Sequence, residues 1–114
     1  MTDCLFCKIV NREIPAALIH EDDQLVAFRD INPQAPTHVL IVPRRHIATL
    51  NDLGADADGI VGTIVRRAAA IARDEGFAEA GYRTVFNCNA DGGQTVFHIH
   101  LHLLGGRPLT WPPG

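Results

Sequence analysis

The stretch that decides the fold is His98-Ile99-His100-Leu101-His102-Leu103-Leu104, close to the C-terminal end of the chain. Histidines and apolar residues alternate along it, and successive side chains of a β-strand point to opposite faces of the sheet. The pattern predicts a strand over residues 96–104 with three imidazoles on one face. The core-facing residues of this predicted strand are Phe97, Ile99, Leu101 and Leu103. Imidazole titrates near neutral pH and is a poor strand former, so three on one face indicate a chemical site rather than a solvated surface.

The chain before this strand predicts an α+β fold built on an antiparallel sheet of about five strands. Short β-rich runs alternate with turn-forming residues, which is typical of neighbouring strands. One apolar run, ended by Pro43, predicts a central strand that is buried on both faces. The predicted strands before the histidine stretch are residues 18–21, 25–29, 38–42 and 83–87.

One main helix is predicted from about Ala57 to Glu75, because apolar residues recur there at steps of three and four. Gly76 is the expected stop. A second, short helix is predicted within residues 1–11. We expect a single domain over residues 1–114, in which the glycine- and proline-rich tail of residues 105–114 is extended.

The composition excludes several classes of protein. The 114 residues include no serine and no GxxxxGK[ST] string, which excludes serine hydrolases and the usual phosphate-binding loops. The net charge of −3 argues against electrostatic binding of nucleic acid. No apolar run approaches the ~20 residues that span a membrane. Three cysteines, an odd number, favour a reducing compartment. We therefore expect a cytoplasmic protein that binds neither nucleic acid nor membranes.

Two chemical roles fit three aligned histidines. They can be ligands of a metal ion, or one can be a nucleophile whose neighbours bind an anionic phosphate. The segment Asp91-Gly92-Gly93-Gln94-Thr95 leads directly into the histidines, and its glycines let backbone N–H groups approach a phosphate closely. Asn87 and His38 are expected near the same end of the sheet. These neighbours favour the nucleophile.

A second candidate site is the pair Cys4-x-x-Cys7. Its spacing fits metal ligands, a redox-active pair or two buried thiols. A redox pair is expected between a strand and a helix of a βαβ unit, which the chain lacks around these cysteines. Metal ligation and simple burial both stay open on the residues alone.

These strings resemble the histidine-triad (HIT) family, and most closely its HINT branch of histidine-triad nucleotide-binding proteins. The stretch 98–104 matches the family signature HxHxHxx, with apolar residues at x, at every position. The resemblance covers almost the whole chain and implies a HIT-like fold. Its supporting strings are Arg12-Glu13-Ile14-Pro15-Ala16, Phe28-Arg29-Asp30-Ile31, Pro33-Gln34-Ala35-Pro36-Thr37-His38, Asp91-Gly92-Gly93-Gln94, Leu104-Gly105-Gly106-Arg107 and Trp111-Pro112-Pro113-Gly114.

The resemblance implies a homodimeric purine nucleoside phosphoramidase, which cleaves the P–N bond of a nucleoside 5′-phosphoramidate. His100 matches the family's nucleophile, which forms a covalent nucleotidyl-imidazole that water hydrolyses. His102 and His38 match positions that hydrogen-bond the phosphate or brace the nucleophile. Thr95 stands where close relatives usually carry serine, in the segment that serves the phosphate and the leaving group.

The resemblance also implies the residues that bind the nucleotide. Asp30 matches the carboxylate that accepts both ribose hydroxyl groups. Asn87, Gly93 and Gln94 match the rest of the phosphate site, and Trp111 lies in a tail that reaches toward the partner subunit's active site. The residues that match the apolar walls around the purine are Leu5, Phe6, Ile9, Phe28 and Ile31.

Many bacterial members of the family bind a structural zinc ion. The resemblance therefore also implies a zinc site, in which two cysteines and two histidines form a closed tetrahedron. The matching residues are Cys4, Cys7, His46 and His98. Three other functions remain as alternatives. One is a dinucleoside polyphosphate hydrolase or nucleotidyl transferase that uses the same His100 intermediate. The second is a non-catalytic nucleotide-binding scaffold, and the third is a structural zinc module, which leaves His100 and His102 unexplained.

Overall fold

The strands and helices occur close to where the residue pattern predicts them. The structure, a computed structural model, describes residues 3–114, so the first two residues of the predicted N-terminal segment lie outside the described part. Two short 3₁₀ turns, Leu50–Asp52 and Ala55–Ala57, precede the main helix. The elements in chain order are α1 (Leu5–Val10), β1 (Leu18–Glu21), β2 (Leu25–Arg29), β3 (Thr37–Pro43), α2 (Asp58–Glu75), β4 (Tyr82–Phe86), α3 (Asn89–Gly92) and β5 (Leu101–Gly105).

The strands form one antiparallel sheet in the order β1-β2-β3-β5-β4. β3 lies at the centre, and its residues from His38 to Pro43 are all buried, as expected for a strand covered on both faces. The predicted α+β fold, with a sheet of about five antiparallel strands, is confirmed.

Helix α2 covers one face of the sheet. It buries the row Ile64, Ala68, Ile71 and Ala72, which recurs at helical spacing. Burial of each large aliphatic side chain in this row stabilises the fold by about 1.5–3 kcal/mol. The helix ends at Gly76, whose φ of 88° is the left-handed conformation that glycine adopts at low cost. The sheet residues in the same core are Leu25, Ala27, Val39, Ile41, Leu101 and Leu103.

Helix α1 covers the opposite face, and His38 and His102 lie on this face. Phe6, Ile9 and Val10 of α1 form a second core with the alternate residues of β2 and β3. Because Leu101 and Leu103 of β5 belong to the α2 core, the alternation of a strand places His102 on the α1 face. The sheet residues of this second core are Val26, Phe28, Leu40 and Val42.

The predicted extent of the histidine strand is wrong, because β5 begins only at Leu101. Ile41 of β3 pairs with Leu101, so the same register would bring Pro43 opposite Ile99. Proline has no N–H and cannot continue the ladder. The N–H of Ile99 instead donates to the carbonyl of Ile47 across 2.7 Å. Of the three histidines, only His102 therefore lies in the regular strand.

Two smaller expectations also differ from the structure. Phe97, predicted in the core, lies outside β5 and is 48% exposed. The loop expected at residues 89–94 contains the single helical turn of α3. No helix within residues 3–114 has both the length and the apolar character needed to cross a bilayer.

Candidate active site and metal centre

His100 is a buried imidazole with one ring nitrogen fixed by the backbone. Its Nδ1–H donates to the main-chain carbonyl of His98 across 2.8 Å, so the neutral ring presents an unprotonated Nε2. Burial lowers the pKa of His100, which keeps the ring neutral at neutral pH. The ring lies edge-on against Phe6, with centroids 4.9 Å apart. A neutral imidazole held in one tautomer is what a nitrogen nucleophile requires.

A chain of hydrogen bonds fixes the tautomers of His38 and His102. The backbone N–H of Gln34 donates to His38 Nδ1 across 3.0 Å, so the neutral His38 ring carries its proton on Nε2. That N–H donates to His102 Nδ1 across 2.9 Å, which places the His102 proton on Nε2. Burial is the main cause that lowers the pKa of both imidazoles, that of His102 to about 4. The chain therefore ends in one N–H donor on His102.

Asp30 lies beside this chain and keeps part of its carboxylate for a ligand. Its backbone N–H donates to the carbonyl of His38, and its Oδ1 accepts the N–H of Asn32 across 2.8 Å. Its Oδ2 is 3.4 Å from His38 Nε2. A carboxylate offers about four lone-pair directions, so these contacts leave acceptor capacity. Asp30 can accept a pair of neighbouring hydroxyl groups in this position.

These groups meet at a cavity of about 520 Å³ between α1 and the sheet. The volume lies in the range of small-molecule sites. Phe6 and Phe28 pack edge to face in its wall, with ring centroids 5.4 Å apart. The predicted site residues that line this nucleotide-sized cavity are Phe6, Ile9, Phe28, Asp30, Ile31, Thr95, His100 and His102. The structure thus brings the predicted nucleophile, carboxylate and apolar walls to one place.

Two of the backbone N–H groups that were predicted to approach a phosphate are hydrogen-bonded within the protein. The N–H of Gly93 donates to the carbonyl of Ala90, and the N–H of Gln94 donates to the carbonyl of Asn89, each across 3.0 Å. The Gln94 side chain is buried, accepts the N–H of Asn89 and donates to the carbonyl of Ala48, each across 2.8 Å. Gly93 and Gln94 stay predictions as phosphate contacts, although both N–H groups are engaged within the turn.

Three predicted residues lie at the margin of the cavity or outside its lining. Ile31 lines the cavity but is fully exposed, so it lies at the mouth. Trp111 is 81% exposed in the tail, and Asn87 is half-buried after β4, against the backbone of Gly92. The roles of Asn87 and Trp111 stay predictions.

A second cluster, which consists of two cysteines and two histidines, joins α1 to the histidine stretch. Its ligand atoms, Sγ of Cys4 and Cys7 with ring nitrogens of His46 and His98, all lie within 4.8 Å of one another. Four distances between these atoms run from 3.3 to 3.5 Å. A tetrahedral zinc site, with Zn–N of about 2.0–2.1 Å and Zn–S of about 2.3 Å, requires ligand separations of about 3.3–3.8 Å. The cluster therefore has the dimensions of a four-ligand metal site.

The orientation of His98 also fits metal ligation. The ring is fully buried, and its Nε2–H donates to the carbonyl of Pro43 across 2.7 Å. This bond leaves Nδ1 unprotonated and directed to the cysteines, as a backbone carbonyl hydrogen-bonded to the other ring nitrogen does for a metal-bound imidazole. The backbone carbonyl of His98 also accepts the hydrogen bond from His100 Nδ1–H. His98 therefore links the two sites.

Comparison with known proteins decides the family. The model of the HIT domain matches residues 11–109. The chain belongs to the HIT family. The resemblance found in the sequence and the HIT-like fold are both confirmed at this level.

Relatives of this HIT protein include enzymes and a zinc-bound protein. It is 53% identical to the purine nucleoside phosphoramidase of Escherichia coli over 107 residues, which cover 94% of this chain and 90% of that protein. It matches a HIT family hydrolase from Legionella pneumophila with a TM-score of 0.97 and 59% identity, covering 98% and 100% of the two chains. It matches a zinc-bound histidine triad protein from Mycobacterium smegmatis with a TM-score of 0.80 and 33% identity, covering 92% and 76%.

Sequence reasoning missed two contributors to the site of this HIT protein. The backbone N–H of Gln34 sets the tautomer of His38, and no sequence pattern marks which residue supplies a main-chain donor. Ile14 and Ala16 line the cavity opposite the sheet. Both residues lie within residues 12–16, where their apolar character was the sequence feature that could have indicated a cavity wall.

We expect the free energy of unfolding of this HIT protein to fall as the pH drops from about 6.5 toward 4. The unfolded imidazole takes up a proton near its ordinary pKa of about 6.5, whereas the folded His102, with a pKa lowered to about 4, stays neutral. The unfolded state then binds more protons, so acid favours unfolding. Urea denaturation at about pH 7 and about pH 5 measures the loss. His102→Gln lacks this group and should lose less; equal losses would contradict the expectation.

Proposed function

We propose that this HIT protein hydrolyses the P–N bond of adenosine or guanosine 5′-phosphoramidates through a covalent nucleotidyl-His100 intermediate. The observation that carries the proposal is the hydrogen bond from His100 Nδ1–H to the carbonyl of His98, beside a cavity that also holds Asp30. It leaves His100 Nε2 as the nucleophilic atom. The similarity to the phosphoramidase of Escherichia coli supports the choice of a P–N bond.

In the first step, the lone pair of His100 Nε2 attacks the α-phosphorus, and an N–P bond forms as the P–N bond to the amine breaks. The electron pair of the broken bond stays on the amine nitrogen, which takes a proton and leaves as a neutral amine. Thr95 lines the cavity, and we assign its hydroxyl to passing this proton from solvent water to the amine nitrogen. The Nε2–H of His102 stabilises negative charge that develops on the phosphate oxygens.

In the second step, water attacks the phosphorus and the bond from phosphorus to His100 Nε2 breaks. The electron pair returns to Nε2, the attacking water releases one proton to solvent, which replaces the proton that the amine took up, and a nucleoside 5′-monophosphate leaves. The ring is positively charged while it carries the nucleotide. The carbonyl of His98, 2.8 Å from Nδ1, stabilises that charge and keeps the ring in place between the two steps.

The nucleotide is held by the remaining predicted residues. Asp30 accepts the ribose hydroxyl groups, and the aromatic rings and aliphatic side chains of the cavity wall contact the purine. We assign the base contacts to Phe6, Ile9, Phe28 and Ile31. We assign the phosphate contacts to His102, Thr95, Asn87, Gly93 and Gln94.

We also propose that the second cluster holds a structural zinc ion. Its four ligands would be Cys4, Cys7, His46 and His98, which close the coordination sphere and leave no position for substrate. Zinc then contributes stability by joining α1 to the histidine stretch. The zinc-bound relative from Mycobacterium smegmatis supports this assignment.

The proposed assembly is a cytoplasmic homodimer. The exposed Trp111 in the tail is consistent with a side chain that covers a partner subunit, because a large exposed aromatic ring is costly on a monomer. Purine nucleotides are the proposed ligands, and neither nucleic acid nor membrane is a proposed partner.

The test compares two substrates at equal enzyme concentration. One is an adenosine 5′-phosphoramidate with a fluorogenic amine, and the other is a diadenosine polyphosphate. We expect kcat/KM for the phosphoramidate to be higher by at least about 100-fold. Faster cleavage of the polyphosphate would favour the dinucleoside polyphosphate hydrolase. Binding of adenosine monophosphate without turnover of either substrate would favour the scaffold.

A further inference from the structure

The start of the C-terminal tail packs on the loop between β2 and β3. The guanidinium of Arg107 donates twice to the carbonyl of Gln34, from Nη2 across 2.9 Å and from Nε across 3.2 Å. It also donates from Nη1 to the carbonyl of Pro108 across 3.1 Å. The neighbouring Gly106 approaches the Pro36 ring so closely that a Cβ at this glycine would lie 2.8 Å from Pro36 Cβ. The tail therefore holds the loop at two points.

The residue that Arg107 holds is the one that sets the tautomer of His38. Gln34 accepts the guanidinium at its carbonyl and donates its own N–H to His38 Nδ1. The two contacts fix Gln34 on both sides of its Cα atom. A shift of the loop away from the tail would lengthen the bond from the Gln34 N–H to His38.

Loss of that bond changes where the protons lie. With no donor at Nδ1, part of the neutral His38 population carries its proton there, although the Asp30 carboxylate 3.4 Å from Nε2 opposes this, and in that population Nε2 is an acceptor. His102 Nδ1, 2.9 Å away, must then carry a proton in order to donate. The His102 Nε2 that remains would present a lone pair instead of an N–H. A lone pair repels a phosphate oxygen, which the N–H would bind.

We propose that Arg107 is a positioning residue, which acts through Gln34 and His38 to keep the His102 Nε2–H directed to an anionic phosphate. The catalytic consequence rests on the proposed function, whereas the tautomer consequence does not. Negative charge on the phosphate oxygens increases in the transition state, so the loss of this donor lowers kcat more than it raises KM.

The test compares Arg107→Ala and Arg107→Lys with Arg83→Ala. Arg83 donates from Nη2 to the carbonyl of Thr110 across 2.7 Å, so it fixes the same tail but not Gln34. Ring ¹⁵N chemical shifts of His38 and His102 report which nitrogen carries the proton. We expect Arg107→Ala to move part of the population to the other tautomer and to lower kcat about fivefold, with KM changed by less than about twofold. Arg107→Lys, which retains a donor, should recover part of both effects.

Arg83→Ala should keep the wild-type ring spectra. Wild-type spectra in Arg107→Ala, or the same spectral change in Arg83→Ala, would overturn the proposal. Thermal unfolding of each variant checks that the fold is retained. If the wild-type protein hydrolyses no phosphoramidate, the proposed function fails, and the ring spectra still decide whether Arg107 sets the tautomers.

Discussion

Replacement of His100 by alanine is expected to lower kcat/KM for an adenosine 5′-phosphoramidate by about 10³-fold or more. The substitution removes the only atom to which the proposed mechanism assigns bond formation with phosphorus, and loss of a nucleophile is among the largest single effects in enzymes. The cavity retains Asp30 and the apolar wall, so binding of adenosine monophosphate should weaken far less than turnover. Turnover and nucleotide affinity are measured on the same preparation.

A second imidazole provides the control for this prediction. His20 lies in β1, where its Nε2 is 2.7 Å from Asp22 Oδ2, and it does not line the cavity. His20→Ala should keep turnover within about twofold of wild type once folding has been verified. Substantial activity in His100→Ala, or an equal loss in His20→Ala, would contradict the assignment of His100.

Replacement of Cys7 by serine is expected to abolish stoichiometric zinc binding and to lower the free energy of unfolding. Cys7 Sγ is 3.3 Å from His46 Nδ1 and 3.5 Å from His98 Nδ1, so a weaker ligand at this position opens the site. A ligand that binds only the folded state stabilises it by about 4 kcal/mol at a concentration 1,000-fold above its Kd. We expect a loss of this order, measured by metal analysis and by denaturant unfolding in the presence of zinc.

The third cysteine offers a matched control. Cys88 is half-buried, whereas Cys7 is buried, and Cys88 lies outside the cluster of metal-ligating groups. Cys88→Ser should retain one zinc ion per chain, and a chelator should lower the stability of this variant and of wild type to a similar extent. One equivalent of zinc in Cys7→Ser, or loss of zinc in Cys88→Ser, would contradict the assigned ligands.

Much of the fold follows from local patterns in the sequence. The row of apolar residues that ends at Gly76 predicts α2 to within one residue at its start, because helix burial repeats with the period of the backbone. The β1 and β2 bounds agree with the predicted ranges because the turn-forming residues 22–24 separate two β-rich runs. The predicted cavity residues converge because alternation in the strands places His102 and Leu40 on the face that α1 covers.

The start of β5 and the backbone hydrogen bonds near the site could not be predicted from the sequence, because they depend on residues distant along the chain. The start of β5 is set by Pro43 in the neighbouring strand, and only the register between β3 and β5 reveals that the two residues oppose each other. The contact from Gln34 to His38 uses a backbone N–H, which every residue except proline carries. The engaged N–H groups of Gly93 and Gln94 depend likewise on the turn of α3, because the residue type alone does not specify the partner of a backbone N–H.

The most direct test of the central claim is the stereochemical course of the reaction at phosphorus. A nucleoside phosphoramidate made chiral by one sulfur on the α-phosphorus is hydrolysed in ¹⁸O-labelled water, and the configuration of the product is determined. Attack by His100 Nε2 followed by attack by water gives two inversions, so the account predicts net retention. Net inversion would mean that water displaces the amine directly, and it would contradict a covalent intermediate on His100.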